Sequence, residues 1–212
     1  MAKKNWQAVC RQRAEEQAVK EARTAWKITD DRLLPFNHRW EHVQEVVKLA
    51  LWLGGQLNAD LEVVEASAWL HDIAKGQPKH AQVGALEAER ILAKTDFPAS
   101  KINTVCLVIR QHEGLVRPSG SPPLEPVEAA ILWDADKLSK LGVQSLAFLL
   151  SAEYLAGKTL VERRLDCEKY VQNTLSRTVT SMNTAPARQQ AEQRYQSMVT
   201  MLNTWLAEEL LL

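Results

Sequence analysis

The 212-residue sequence contains only three cysteines, Cys10, Cys106 and Cys167, far apart and with no Cys-x-x-Cys pair. So sparse and odd a set excludes a disulfide framework and a cysteine zinc site, and predicts reduced thiols in a cytosolic protein. Eight glycines and eight prolines are too few for a collagen-like or low-complexity chain. Net charge is missing too: 26 Lys and Arg balance 26 Asp and Glu, leaving no overall field to gather bulk nucleic acid or an anionic membrane. No segment approaches the ~20 consecutive apolar residues that span a bilayer. The opening Met-Ala-Lys-Lys-Asn-Trp runs into charged sequence without the apolar stretch of a signal peptide, so the expected location is cytoplasmic.

What is present is an ordinary globular composition, 46% apolar and 25% charged. A chain of this size buries roughly 70% of its unfolded surface and needs no staples. Apolar residues recur at spacings of three and four, and β-branched alternation is scarce, so the expected fold is all-α, without strands. Ala8, Val9, Ala14, Ala18, Val19, Ala22 and Ala25 stand among many charges over residues 5–28, which suits a solvent-facing first helix. Asn37 can cap a helix with a buried stripe at Val43, Val46, Val47, Ala50 and Leu53, ended by Gly54-Gly55. Asp60 can cap the next, running past His71 to Lys75-Gly76, where glycine can take a left-handed conformation. Further helices are expected over 80–94, from Pro98 to about His112, and over 127–139, 142–155, 159–181 and 186–210. Residues 114–126 form the one long breaker-rich stretch and the best candidate for a mobile loop. Residues 1–30 read as a helical extension and 31–212 as one compact domain.

All five histidines, His38, His42, His71, His80 and His112, fall in one stretch, near the starts or ends of successive helices. That placement suggests convergence. His71 is followed by Asp72, and such a pair at a helix end can turn nitrogen and oxygen toward one cation. On its own the pair is a weak signal, because a single histidine there is more often a hydrogen-bonded helix-end residue.

The order His42-Val-Gln-Glu, then Ala68-Trp-Leu-His71-Asp72-Ile-Ala-Lys75, then Trp133-Asp134-Ala-Asp136-Lys-Leu resembles the HD superfamily of metal-dependent phosphohydrolases. Residues 134–142 and the run Met182-Asn-Thr184 with Ala187-Arg188, Ala191 and Arg194 resemble its small stand-alone bacterial branch. The resemblance covers about 37–212 and implies a single helical HD bundle carrying an extra N-terminal helix. It implies His42, His71, Asp72 and Asp136 as ligands of one metal. His80, with Gly84-Ala85 beyond it, and His112 are similar to the extra histidines of binuclear members and would hold a second ion with Asp72. Asp134 competes with Asp136, but residues two apart on a helix point about 200° from each other, so only one can face the site.

Such a set implies one or two divalent ions, Fe, Mn, Co, Ni, Zn or Mg, and a small phosphorylated substrate, with a nucleotide the leading class. Asp72 and Lys75 are the expected catalytic pair, Lys75 steadying phosphoryl charge or, alternatively, a helix-end cation. Arg39 and Arg110 are weaker candidates for substrate binding. Glu113 can orient an imidazole or carry a proton, and His38 supports the site or sits capped and exposed. Trp40, Trp52, Trp69 and Trp133 read mostly as core. Trp205, Leu206, Leu210, Leu211 and Leu212 cover the domain or a partner, and a homo-oligomer is open. Two other functions compete: a binuclear iron oxygenase, and a nucleotide-sensing module with a structural metal.

Overall fold

The helix starts follow from side chains that satisfy free backbone donors. Asn37 Oδ1 accepts from Trp40 N at 3.1 Å to open α2 (His38–Gln56), and Asp60 Oδ1 accepts from Glu62 N and Val63 N to open α3 (Leu61–Leu70). The computed structural model describes residues 3–118 and 120–210, so Leu211 and Leu212 of the expected C-terminal cover lie outside the described residues. Around these two helices stand α1 (Trp6–Ala25), α4 (His80–Leu92), α5 (Ile102–Arg110), α6 (Val127–Leu138), α7 (Val143–Leu150), α8 (Leu160–Tyr170), α9 (Ser176–Val179) and α10 (Ala185–Leu210). The fold is all-α. An isolated bridge between Lys4 and Thr95 is the one β-type pairing among the described residues. None of the described helices is long and apolar enough to cross a membrane.

Several expected boundaries move, each for a local reason. Helix α2 runs on through Gly54 and Gly55. A Cβ on Gly54 would stand 2.8 Å from Leu61 Cδ2, so this glycine provides a close approach to α3 instead of a stop. Helix α3 ends at Leu70, and tight turns follow, with Ile73 N donating to Leu70 O and Lys75 N to Asp72 O. His71 and Asp72 therefore sit on a turn, and Gly76 with φ +88° closes it. The expected helix over 159–181 is interrupted by a π-helical turn at Val171–Leu175, and that over 142–155 ends at Leu150 before a short 3₁₀ turn.

The first helix is not solvent-facing. Trp6, Cys10, Ala14, Ala18 and Ala22 repeat every fourth residue and are all buried, as α1 packs on α2, α3 and α4. Small side chains on this stripe allow close packing, and the charged residues on the other face conceal it in a composition count. Cys10, Cys106 and Cys167 are free and buried, and burial pushes the Cys10 thiol up to about 12.

Helix α6 lies at the centre, packed by α2, α3, α5 and α10, and every residue from Glu128 to Leu138 is buried. Its apolar residues Ile131, Leu132, Trp133 and Leu138 belong to the core. Its charged ones, Asp134, Asp136 and Lys137, must then find partners inside the protein.

Candidate metal centre

The C-terminal ends of α3, α5 and α6 and the N-terminal turn of α2 meet at one end of the bundle. His42 comes from the first turns of α2, His71 and Asp72 from the turn after α3, and His80 from the start of α4. His112 follows α5, and Asp136 lies on α6. His42, His71 and Asp72 have ligand-type atoms within 4.8 Å of one another, as do Asp72, His80 and His112.

The hydrogen bonds define which imidazole nitrogens are bare. His71 Nδ1 lies 2.8 Å from Ala68 O and His112 Nδ1 2.6 Å from Ile109 O, so each Nδ1–H donates to a carbonyl. Ser139 Oγ donates to Asp136 O at 2.6 Å, and His42 Nδ1–H therefore donates to that hydroxyl at 2.9 Å. Three imidazoles are thus held in one tautomer by main-chain or hydroxyl acceptors, with Nε2 lone pairs turned inward. His42 Nε2 and His71 Nε2 stand 3.4 Å apart, and Asp72 Oδ2 lies 3.8 and 3.6 Å from them. The other oxygen, Asp72 Oδ1, lies 3.5 Å from His112 Nε2 and 3.7 Å from His80 Nε2. Asp72 Oδ1 and His112 Nε2 are buried without a hydrogen-bond partner among the described residues. Acceptors facing acceptors in a buried space fit a cation and little else.

Electrostatics favour the same state. Burial drives the His71 pKa down to about 4 and that of His42 well below its ordinary value, so both are neutral and able to donate lone pairs at neutral pH. Burial alone would raise Asp72. Its polar neighbours outweigh this and hold the carboxyl well below the usual range, Lys75 supplying the lasting positive charge.

Asp136 lies at the edge of this set. Its Oδ1 is 3.5 Å from His42 Nε2 but also 2.6 Å from Lys140 Nζ, and its Oδ2 pairs with Lys137. Asp134 faces the opposite way, fully buried, and accepts from Asn183 N, Asn183 Nδ2, Thr184 N and Thr184 Oγ1 at 2.7–2.9 Å. It fastens the start of α10 to α6 and takes no part in the cluster.

Lys75 stands at the rim, 31% exposed, with Nζ 3.3 Å from Asp72 Oδ1 and 3.5 Å from His80 Nε2. Arg39 borders a small cleft shared with Asp72, but its Nε is paired with Glu21 Oε2 at 3.3 Å. Arg110 is exposed on α5 and makes none of the cluster's polar contacts, because it is two residues from inward-facing His112 and so points away. Glu113, half exposed, approaches His80 Nδ1 at 3.8 Å. His38 is not exposed; its Nδ1 faces Glu153 at 3.9 Å, away from the cluster. Trp133 is core, Trp40 and Trp69 stack beside the cleft at 5.9 Å, and Trp52 lies at the surface.

Two contributors were not legible in the sequence. Lys137, 1% exposed, donates to His112 O at 2.7 Å, pairs with Asp136 and lies 4.8 Å from the Trp133 ring centroid, tying α6 to the turn after α5. The Asp-Lys-Leu spelling marked this lysine, but only burial gives it a role. Glu21 of α1 is raised by burial to about 7, and Gln17 donates both to Glu21 and to Lys75 O. Helix α1 thus walls the cluster.

This bundle, with histidines and aspartates gathered at one end, is that of an HD-domain protein. Residues 39–141 match the HD domain family, so this stretch of the chain is an HD domain. Among curated proteins, the uncharacterized protein YpgQ of Bacillus subtilis is 27% identical over 165 residues, covering 76% of this chain and 80% of that protein. A predicted HD-superfamily hydrolase from an uncultured Thermotogales bacterium, 27% identical, superposes with a TM-score of 0.57 over 91% of each chain. The crystal structure of Bacillus subtilis YpgQ in complex with ADP shares the fold, with a TM-score of 0.61 at 19% identity over 92% of this chain and 97% of that one. These likenesses give the chain an HD domain in a fold shared with proteins described as HD-superfamily hydrolases.

Proposed function

We propose that the chain is a metal-dependent phosphohydrolase that cleaves a phosphoester of a small molecule, a nucleotide being the first class to test. The observation that carries this is Asp72, whose two oxygens face two different sets of imidazole nitrogens. In this reading His42, His71, Asp72 and Asp136 hold one divalent ion, and Asp72, His80 and His112 a second. Lys140 is the long, partly exposed side chain that must release Asp136 for it to join. The bound ion would lower the pKa of water toward ~7 and polarise the phosphoryl oxygen. The protein's own part is to keep three imidazoles aimed through their Nδ1–H bonds, and to place the Lys75 ammonium where phosphoryl charge develops. The ADP held by Bacillus subtilis YpgQ supports a nucleotide as the ligand class. Residues 31–212 would form the hydrolase unit, with residues 1–30 contributing α1 as a wall of its site.

The test is metal content of the purified protein, followed by turnover of phosphorylated metabolites, ADP included, under several divalent ions. Phosphate release that vanishes on chelation and returns with metal is expected. Intact substrates under every metal would overturn the proposal. Within it, His80→Ala and His112→Ala should each lower the metal stoichiometry toward one per chain and leave the first ion in place. Unchanged stoichiometry would make those histidines substrate contacts or helix-end residues.

Lys75→Ala separates chemistry from packing. As an electrostatic donor to the transition state its loss should lower turnover ~10²- to 10³-fold, with metal content and melting temperature preserved. A helix-end cation would instead cost ~0.3 to 1 kcal/mol of stability, screened by salt, and leave turnover alone.

A further inference from the structure

The breaker-rich loop after His112 and the segment that joins α9 to α10 line a cavity of about 590 Å³ that opens to solvent. That volume suits a small metabolite. None of the residues lining it belongs to the His–Asp cluster. Arg117, Arg177 and Arg188 all line the cavity, and no carboxylate does among the described residues. In a chain whose charges balance overall, three guanidiniums without a lining carboxylate make a local concentration of one sign.

The contacts of these arginines sharpen the point. Arg117 donates from Nη1 to Asn183 Oδ1 and from Nη2 to Pro122 O at 2.6 Å. Arg188 Nη1 donates to Asn183 O at 2.9 Å and Met182 O at 3.3 Å. Arg177, exposed on α9, has no side-chain hydrogen bond or ion pair among the described residues. Two of the three are thus positioned by neutral oxygens that leave their charge uncompensated, and each guanidinium carries five N–H donors, more than these contacts use. The nearby hydroxyls are already committed: Ser121 Oγ donates to Pro118 O, Thr180 Oγ1 to Arg177 O and Ser181 Oγ to Thr178 O. What the cavity has left to offer a ligand is guanidinium donors, which match phosphate oxygens in geometry and charge.

We propose that this cavity is a binding site for a small phosphate-bearing anion, separate from the His–Asp cluster. Arg177 supplies free donors, while Arg117 and Arg188 are held in place by Asn183 and its neighbours. Asn183 also donates to Asp134 at 2.9 Å, so the site's wall is anchored to α6.

Calorimetric titration of inorganic pyrophosphate into metal-free protein, dialysed clear of chelator, tests this without any turnover. The wild-type chain should bind with an affinity that falls as sodium chloride is raised. Arg177→Ala and Arg188→Ala should each weaken binding about tenfold or more, Arg177→Ala with an unchanged melting temperature. Asp72→Asn, which disables the cluster, should bind pyrophosphate as the wild type does. Absence of binding to the wild type, equal binding by both arginine variants, or loss of binding in Asp72→Asn would each overturn the proposal. Failure of the hydrolase reading shows separately, as lack of phosphate release with metal present.

Discussion

Asp72→Asn should remove metal from both halves of the cluster and lower turnover ~10²- to 10³-fold or more, the largest activity loss expected of any single substitution here. The change keeps shape and removes charge. Asparagine offers one neutral oxygen and one NH₂ group in place of two anionic oxygens. Because Asp72 Oδ2 faces His42 and His71 while Oδ1 faces His80 and His112, no rotation of an amide serves both sides. Metal analysis of the purified variant, alongside turnover and a melting curve, reads the outcome. A variant that melts normally and retains its full metal complement would remove Asp72 from the centre of the site.

Asp134→Ala should cause a large loss of stability and leave the metal in place. Four donors from Asn183 and Thr184 converge on this fully buried carboxylate, and truncation strands them. A buried unpaired donor costs ~1 to 3 kcal/mol, and the start of α10 can relax enough to recover some of these, so a net loss of about 3 to 5 kcal/mol is expected. For a chain of this size that corresponds to a fall of roughly 6 to 20 °C in melting temperature. Asp136→Ala provides the contrast. Its expected signature is lost metal together with a lower melting temperature, since Lys140 is partly exposed and regains water but buried Lys137 keeps only its bond to His112 O. Reversed signatures, with metal lost in Asp134→Ala and kept in Asp136→Ala, would exchange the roles of the two aspartates.

That pair illustrates how much of the site could be read from the chain. Helical phase alone puts residues two apart on opposite sides, so the separation of Asp134 from Asp136 is a sequence-level result. Which of them meets the histidines is not set by phase, because α6 is buried on every face and its composition carries no inside-out pattern; the resemblance to the HD superfamily is what named Asp136. The histidines behave similarly. Their positions at helix ends are legible from caps and breakers, since Asn37 and Asp60 act within three residues of themselves. Their arrangement into two sets around Asp72 depends on the packing of α2, α3 and α5 against one another, which no local signal encodes.

Periodicity and capping in the amino-acid sequence by themselves determined that the chain is helical, where α2 and α3 begin, and which residue types could serve a cation. Those are local matters, decided by backbone donors, side-chain spacing and turn chemistry. The tertiary structure alone decided that α1 is a packed wall and that Lys137 is a buried clasp between Asp136 and His112. It alone assembled the arginine cavity. Residues at 117, 177 and 188 share no spacing that sequence periodicity can express, and they meet because the loop after α5 folds back on the start of α10. Charge and burial at such places are sums over distant neighbours, and only the folded arrangement fixes which neighbours count.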